Sequence, residues 1–470
     1  MSATAEEFLR NAAIKSADLA HRRTIRHAVD TYEAAVEGGR ARFLDWQAGR
    51  ERCHQIKWDA INHLDRYLLE FEARVKERGG HVFWAETSED ARQYITALAA
   101  KRGVRTVVKS KSMVTEEIHL TPALEKNGCK VFETDLGELI VQLRNEPPYH
   151  IITPAMHLTR SDIAALFREK LDGVASDDPQ ELVAAARRML RKAFFSADMG
   201  ITGANFLIAD SGMVALSTNE GNARLGTSVP RIHVAVAGIE KILPRFEDLA
   251  VFWPMLSTSG TGQALTCYNT LIGGPRGPRE LDGPAEFHVV LLDNGRGELL
   301  ADAEQRDALH CIRCGACLNV CPVFRTIGGH SYGATYGGPI GSVITPHLRG
   351  LKEFQHLSYA SSLCGACTQS CPVEIDLHHH LLHNRRNAVR AADRPASERF
   401  GFRLWRWSMM GSLRFAFLGW AGRAIVRASQ ALGLCGTSLD PLRPWTKIHA
   451  APHIPKKSFR TLWRDRRGAS

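Results

Sequence analysis

Two cysteine runs limit what this chain can fold into more than any other feature of it. The first is Cys311, Cys314, Cys317 and Cys321, with Pro322 directly behind. The second is Cys364, Cys367 and Cys371, with Pro372 directly behind. Aligned on Cys-Gly-Ala-Cys and on Cys-Pro, the runs repeat each other, except that Ser361 stands where Cys311 would be. Seven of the eleven cysteines thus crowd into one short stretch, and its fold must serve whatever they hold.

The 2-2-3 spacing ending in proline is the run that holds iron–sulfur cubes in two-cluster ferredoxins. Three close thiolates wrap one cluster, and the fourth reaches across to the other. The proline then starts a helix, where its missing N–H is harmless. Crossed in this way, Cys311, Cys314, Cys317 and Cys371 form cluster one, a 4Fe-4S centre. Cys321, Cys364 and Cys367 form cluster two, which is 4Fe-4S or 3Fe-4S. Its fourth ligand is Ser361, water, a distant cysteine, or none. Tetrahedral zinc is the competing reading, but zinc motifs bring ligands in two pairs. Cys53, Cys129, Cys267 and Cys435 read as small core residues.

Between the runs lies a glycine-rich segment, 328–341, with His330, Tyr332 and Tyr336. These three either donate to cluster sulfurs or simply pack a tight loop. His378–His383 reads as the helix after the second Cys-Pro, with some of its histidines near cluster one.

Upstream, the pattern is that of an α/β protein with an open, mainly parallel sheet. Residues 1–78 read as two or three helices, broken at Gly38-Gly39. Strands are expected at 81–85, 104–109, 130–133, 139–143, 150–153, 203–209, 213–217, 231–237 and 286–292, alternating with helices. Ser88 is the expected cap of one helix, a second covers 113–127, and others cover 160–172 and 180–195. The division is therefore a helical segment 1–78, an α/β domain 79–300, an α-helical two-cluster domain 301–390 and a tail 391–470.

Small polar residues beyond strand ends are where open α/β sheets bind ligands. Gly200–Gly212, read as a turn feeding a strand, and Ser217–Arg224 fit that description. Lys109–Ser112, at another strand end, suits an anion. Glu220 is the candidate catalytic carboxylate, set against a plain turn-capping role. No G-x-G-x-x-G or Walker motif occurs in the right context, so neither a dinucleotide nor ATP is indicated.

The net charge of +10 is uneven. From Asn384 onward there are 18 Lys and Arg against four acids, and the first 383 residues carry 42 against 46. The tail also holds five of the nine tryptophans. Such an end suits an anionic membrane face or an acidic partner. Nucleic acid is not expected, because no reading module accompanies the charge. No long apolar run or apolar leader is present, so a cytoplasmic location is expected, with peripheral contact at the inner membrane face.

The sequence resembles the lactate-utilisation iron–sulfur protein family. Three blocks carry the resemblance: Gly200–Asn205 with Thr218–Asn222, the cysteine runs with Gly338–Gly341 between them, and Pro455–Arg460 with Trp463. The resemblance implies a LUD domain similar to sugar-phosphate isomerases and CoA transferases. It also implies an electron-transfer subunit of a complex oxidising L-lactate to pyruvate. Its companions would be a second iron–sulfur or redox protein and a LUD-domain protein. Two other readings stay open: a subunit for another 2-hydroxy acid such as glycolate, and an acyl- or CoA-transferase-like enzyme with regulatory clusters.

Overall fold

The computed structural model describes residues 2–174, 176–391, 396–440, 442–446, 449–450 and 453–467. They fall into two compact units, one running to Ala391 and one beyond it.

The first unit has ten strands: β1 His81–Ala85, β2 Thr106–Lys109, β3 Lys130–Glu133, β4 Met199–Thr202, β5 Phe206–Ile208, β6 Met213–Thr218, β7 Ile232–Gly238, β8 Ile242–Leu243, β9 Tyr268–Ile272 and β10 Glu286–Leu292. Six form one sheet in the order β1-β10-β7-β4-β2-β3, and every pairing in it is parallel. The fold is α/β, as the alternation implied. β7 is buried along its whole length, as a parallel strand covered on both faces must be. The order β8-β5-β6-β9 makes a smaller mixed sheet.

Four N-terminal helices, Ala3–Ala17, Leu19–Arg40, Trp46–Asn62 and Leu64–Glu77, pack onto this body. Ile25, Cys53 and Phe71 share one apolar core with Phe206 of β5 and with Phe324 and Leu381 of the cysteine segment. The first 391 residues thus pack as one body, and the division by sequence at 78 and 300 does not mark gaps in the core.

Several local expectations are corrected. Gly38-Gly39 does not break a helix, because Leu19–Arg40 runs through it. A Cβ on Gly39 would lie 2.7 Å from the Gly262 carbonyl, so the glycine permits close packing on helix Leu249–Thr261. Residues 139–143 are not a strand but part of helix Leu136–Arg144. Asp135 caps that helix by accepting from the amides of Gly137 and Glu138.

Residues 150–153 form a turn in which His150 Nδ1 accepts from the amides of Ile152 and Thr153, displacing any strand ladder. Thr87, not Ser88, caps helix Ser88–Lys101, and Asp90 completes its capping box. The helix expected over 113–127 is split in two by His119, at φ 50°. Gly200 belongs to β4 rather than to a turn. A Cβ there would lie 1.8 Å from the Gly226 carbonyl, so only glycine lets helix Asn222–Ser228 sit on the strand.

The second unit consists of helices Ala396–Met409, Ser412–Ala431, Arg443–Thr446 and Phe459–Arg467. Residues 392–395, near the expected start of the tail at 391, lie outside the described residues. Among its described residues the buried ones are Ser408, Ser429 and Asp440, none of them apolar. Phe400, Trp405, Trp407, Phe417 and Trp420 are exposed.

Candidate metal centre and adjoining cavity

The two cysteine runs adopt the same backbone. Arg313 and Leu363, each the residue before the Cys-Gly-Ala-Cys motif, sit in the left-handed region at φ 61° and 55°. Gly315 and Gly365, inside the motif, follow at 76° and 81°. Short helices Ala316–Asn319 and Ala366–Ser370 then lead to Cys321 and Cys371, and these two helices pack on each other.

This path aims amides at the sulfurs. Arg313 N–H donates to Cys311 Sγ and Ile375 N–H to Cys371 Sγ, each at 3.4 Å. The amide of Ala316 serves Cys314, and that of Ile340 serves Cys317. Those of Phe324 and Val323 serve Cys321, that of Ala366 serves Cys364, and that of Thr368 serves Cys367. Donors of this kind stabilise negative sulfur and tune iron–sulfur centres.

The thiols sort into two sets by mutual charge. Cys314 feels Cys371 and Cys311, Cys371 feels Cys311, and Cys317 feels Cys311 and Cys314. Cys321 feels Cys364, and Cys367 feels Cys321 and Cys364. Cys317 and Cys367 link the sets. Burial pushes the thiol of Cys371 up to about 12 and that of Cys367 to about 11. Bound cations reverse that cost by taking the thiolate form.

The spacing does not suit a single zinc ion. Sulfurs on tetrahedral zinc lie about 3.8 Å apart. Among the described residues, no three cysteine sulfurs come within 4.8 Å of one another. Around the two sets, Tyr332 Oη, His150 Nε2, and Arg313 Nε and Nη1 are buried without hydrogen-bond partners. Tyr332 feels Cys321 and Cys317, and Gly315 abuts the His150 ring. These orphaned groups and the amide-lined thiols fit a cluster whose sulfurs add acceptors.

An ionic network ties the first set to the sheet. Glu240, just past β7, accepts from Arg296 Nε at 2.6 Å and from Arg313 Nη2 at 3.2 Å. Glu117 receives Arg296 through both terminal nitrogens at 2.9 Å and Tyr336 OH at 2.7 Å. Arg313 also lies over the Tyr336 ring at 4.7 Å. Burial alone would raise the Glu240 carboxyl, but Arg296 and Arg313 hold it down to about 2.

Beside this network opens a cavity of about 480 Å³ at the C-terminal ends of the strands. Its walls include Met113, Val114, Ile140, Ile151, Leu216 and Leu256, while Arg313 and Tyr336 bring the cysteine segment to its edge. Lys241 lines it, is 5% exposed, and its amine makes no hydrogen bond among the described residues. Burial brings its amine down to about 8. Glu220 also lines the cavity. It is exposed as a residue, yet desolvation, with Asp135 adding charge, pushes its carboxyl up to about 7. A group poised at 7 can exchange a proton at neutral pH.

A LUD domain profile matches residues 68–292, and a 4Fe-4S dicluster domain profile matches residues 307–375. Lactate utilization protein B of Anoxybacillus flavithermus is 44% identical over 438 residues, covering 93% of this chain and 91% of that protein. Lactate utilization protein B of Bacillus cereus is 43% identical over 446 residues, 94% of each. The chain belongs to the lactate utilization protein B family. A crystal structure of a DUF162 family protein from Deinococcus radiodurans overlaps 49% of this chain and 98% of its own, at TM-score 0.27 and 12% identity.

In this member of the lactate utilization protein B family, the remaining expected site residues scatter. Lys109 is fully buried against Glu133 at 2.8 Å and Glu116 at 2.9 Å, so it holds no external anion. Lys111 donates to the Ile152 carbonyl and lines the cavity with Ser110 and Ser112. His330 contacts the Pro147 carbonyl and, with Glu146 and His157, forms a group whose ligand atoms lie within 4.8 Å. The His378–His383 run lies in helix Leu377–Ala391, where His380 pairs with Asp307 at 2.9 Å. Glu240, Lys241 and Arg296 were missed. The signal for the first two was present: a Glu-Lys pair one residue past a largely apolar strand has to find partners inside.

Proposed function

We propose that this chain is the iron–sulfur electron-transfer subunit of a complex that oxidises L-lactate to pyruvate, working beside companion subunits. The reading rests on family membership and on the sorting of the thiols into two amide-lined sets. Cys311, Cys314, Cys317 and Cys371 would hold a 4Fe-4S cluster. Cys321, Cys364 and Cys367 would hold a second, 4Fe-4S or 3Fe-4S. Such clusters supply single-electron transfer between a donor and an acceptor.

The chain's own residues divide the other tasks. Cys314 and Cys317 are buried, as are Cys321 and Cys367, while Cys364 is exposed. Cys364 thus gives the second set one open edge, where a companion redox protein would dock. Lys241, whose amine makes no hydrogen bond among the described residues, would take the carboxylate of a hydroxy or oxo acid. Glu220 is placed to give or receive a proton. The second unit's exposed aromatics and arginines suit peripheral contact with an anionic membrane face. No helix among the described residues is long and apolar enough to cross a membrane.

The test is anaerobic reconstitution with the companion proteins. L-lactate should bleach the cluster absorbance in the complex and not in this chain alone. Lactate turnover that persists after Cys317→Ala, with iron lost, would overturn the reading. Bleaching by glycolate in preference to lactate would move it to another 2-hydroxy acid.

A further inference from the structure

We propose that Ser361 Oγ is the fourth ligand of the second iron–sulfur cluster, standing in the place that Cys311 takes at the first. The inference rests on the electron-transfer reading above and selects one of the ligands that the sequence leaves open.

The two positions match in detail. Each lies three residues before its Cys-Gly-Ala-Cys motif and two before a non-glycine residue in the left-handed region, Arg313 or Leu363. That kink turns the amide of the i+2 residue back onto the side chain. Arg313 N–H donates to Cys311 Sγ at 3.4 Å, and Leu363 N–H donates to Ser361 Oγ at 3.1 Å. A left-handed backbone at an arginine or a leucine is strained, so its occurrence twice at one register marks a shape the loop must hold. Both side chains are half-buried.

The segment that presents Ser361 is also fixed from behind. Arg385 Nε donates to the Ser358 carbonyl at 2.9 Å, and its guanidinium lies over the Tyr359 ring at 4.9 Å. The hydroxyl of the next residue, Ser362, instead serves the Cys364 sulfur, and the spare buried cysteines lie elsewhere. Cys129 lies in the separate core under β2 and β3, and Cys53 feels Cys371 of the first set. The two groups of clustered histidines and carboxylates include none of Cys321, Cys364 and Cys367. A hydroxyl becomes a ligand to iron by losing its proton, here to solvent, and the Leu363 amide then stabilises the oxygen anion.

The experiment uses the full chain, purified anaerobically from cells grown on iron-57, with iron and sulfide counted and Mössbauer and electron paramagnetic resonance spectra taken. The unaltered protein should show two four-iron clusters, with one iron site of the second set apart by its oxygen ligand. Ser361→Ala should lose that iron alone and give a three-iron signal. Ser361→Cys should keep all the iron and erase the distinct site. Retention of both four-iron clusters with an unchanged spectrum in Ser361→Ala would overturn the proposal. So would a three-iron second cluster in the unaltered protein that takes up no ferrous iron. The signal of the first cluster, expected unchanged in both variants, reports that each has folded. A chain with no iron at all would defeat the electron-transfer reading itself.

Discussion

Arg313, held between Cys311 and Cys314, places its Nη2 3.2 Å from Glu240 Oε1 at the end of the central strand β7. One bond thus joins the loop of the first cysteine set to the floor of the α/β sheet. Glu240 is fully buried and is shared with Arg296.

Replacing Glu240 by Gln should be severe, because it leaves the buried Arg313 guanidinium without a carboxylate and Arg296 with Glu117 alone. Removing one partner of such a network costs about 3–5 kcal/mol. The thermal midpoint of Glu240→Gln should fall sharply, and cluster absorbance should be lost early in the melt. The carboxyl is held low, so the contribution of Glu240 is complete above its ordinary range near 4.5 and is lost only as pH falls toward about 2. An unchanged midpoint at pH 7 would remove Glu240 as the joint.

Glu220 should behave in the opposite sense. Burial pushes its carboxyl up to about 7 in the folded state, above the ordinary 4.5. Between those values the folded state holds the proton more tightly than the unfolded chain, so stability declines as pH rises through that window. Glu220→Gln should match the parent at pH 4 and melt higher than it at pH 8. Parallel melting curves across that range would show that the carboxyl is ordinary.

Lys241→Gln should weaken binding of L-lactate or pyruvate to the intact protein while leaving its iron content unchanged. A charged hydrogen bond is worth about 1.5–3 kcal/mol, or roughly 10- to 100-fold in affinity. Calorimetric titration of both proteins provides the comparison. Equal affinities would take the acid away from Lys241.

Cysteine replacements should separate the ligands from the bystanders. Cys314→Ala and Cys367→Ala should each lose iron from one cluster. Cys267→Ala and Cys435→Ala should lose none, since both lie exposed, not in a core as their sequence suggested, and outside the two sets. Iron counts per chain decide the matter, and loss on replacing Cys435 would contradict the assignment.

The tail should bring the protein down with vesicles containing phosphatidylserine but not with phosphatidylcholine alone. Added salt should release it, as screening weakens surface attraction. Removal of residues 396–470 should abolish the effect without changing cluster absorbance.

Much of this was legible in the sequence because spacing carries it. Cys311 to Cys321 and Cys364 to Cys371 fix a loop whatever surrounds them, and the largely apolar, Val-rich runs at 231–237 and 286–292 read as buried strands. Legibility failed where a cap or a distant neighbour decides. Leu139–Leu143 has strand-like residues, but Asp135 starts a helix ahead of it. Gly39 and Gly200 look like turn signals, yet each is small because another backbone passes close by. Lys109 and Lys111 read alike in sequence. Burial alone tells them apart: one is locked between Glu116 and Glu133, and the other reaches the cavity.

The bridge from Glu117 through Arg296 and Glu240 to Arg313 also limits how this architecture can be rearranged. The cysteine segment is not a portable module. Cut away or exchanged for one without an arginine at position 313, it would leave the sheet with a buried carboxylate missing a counterion and Arg296 carrying the imbalance alone. Chimeras between family members should therefore work only when the residues at 240 and 313 are inherited together.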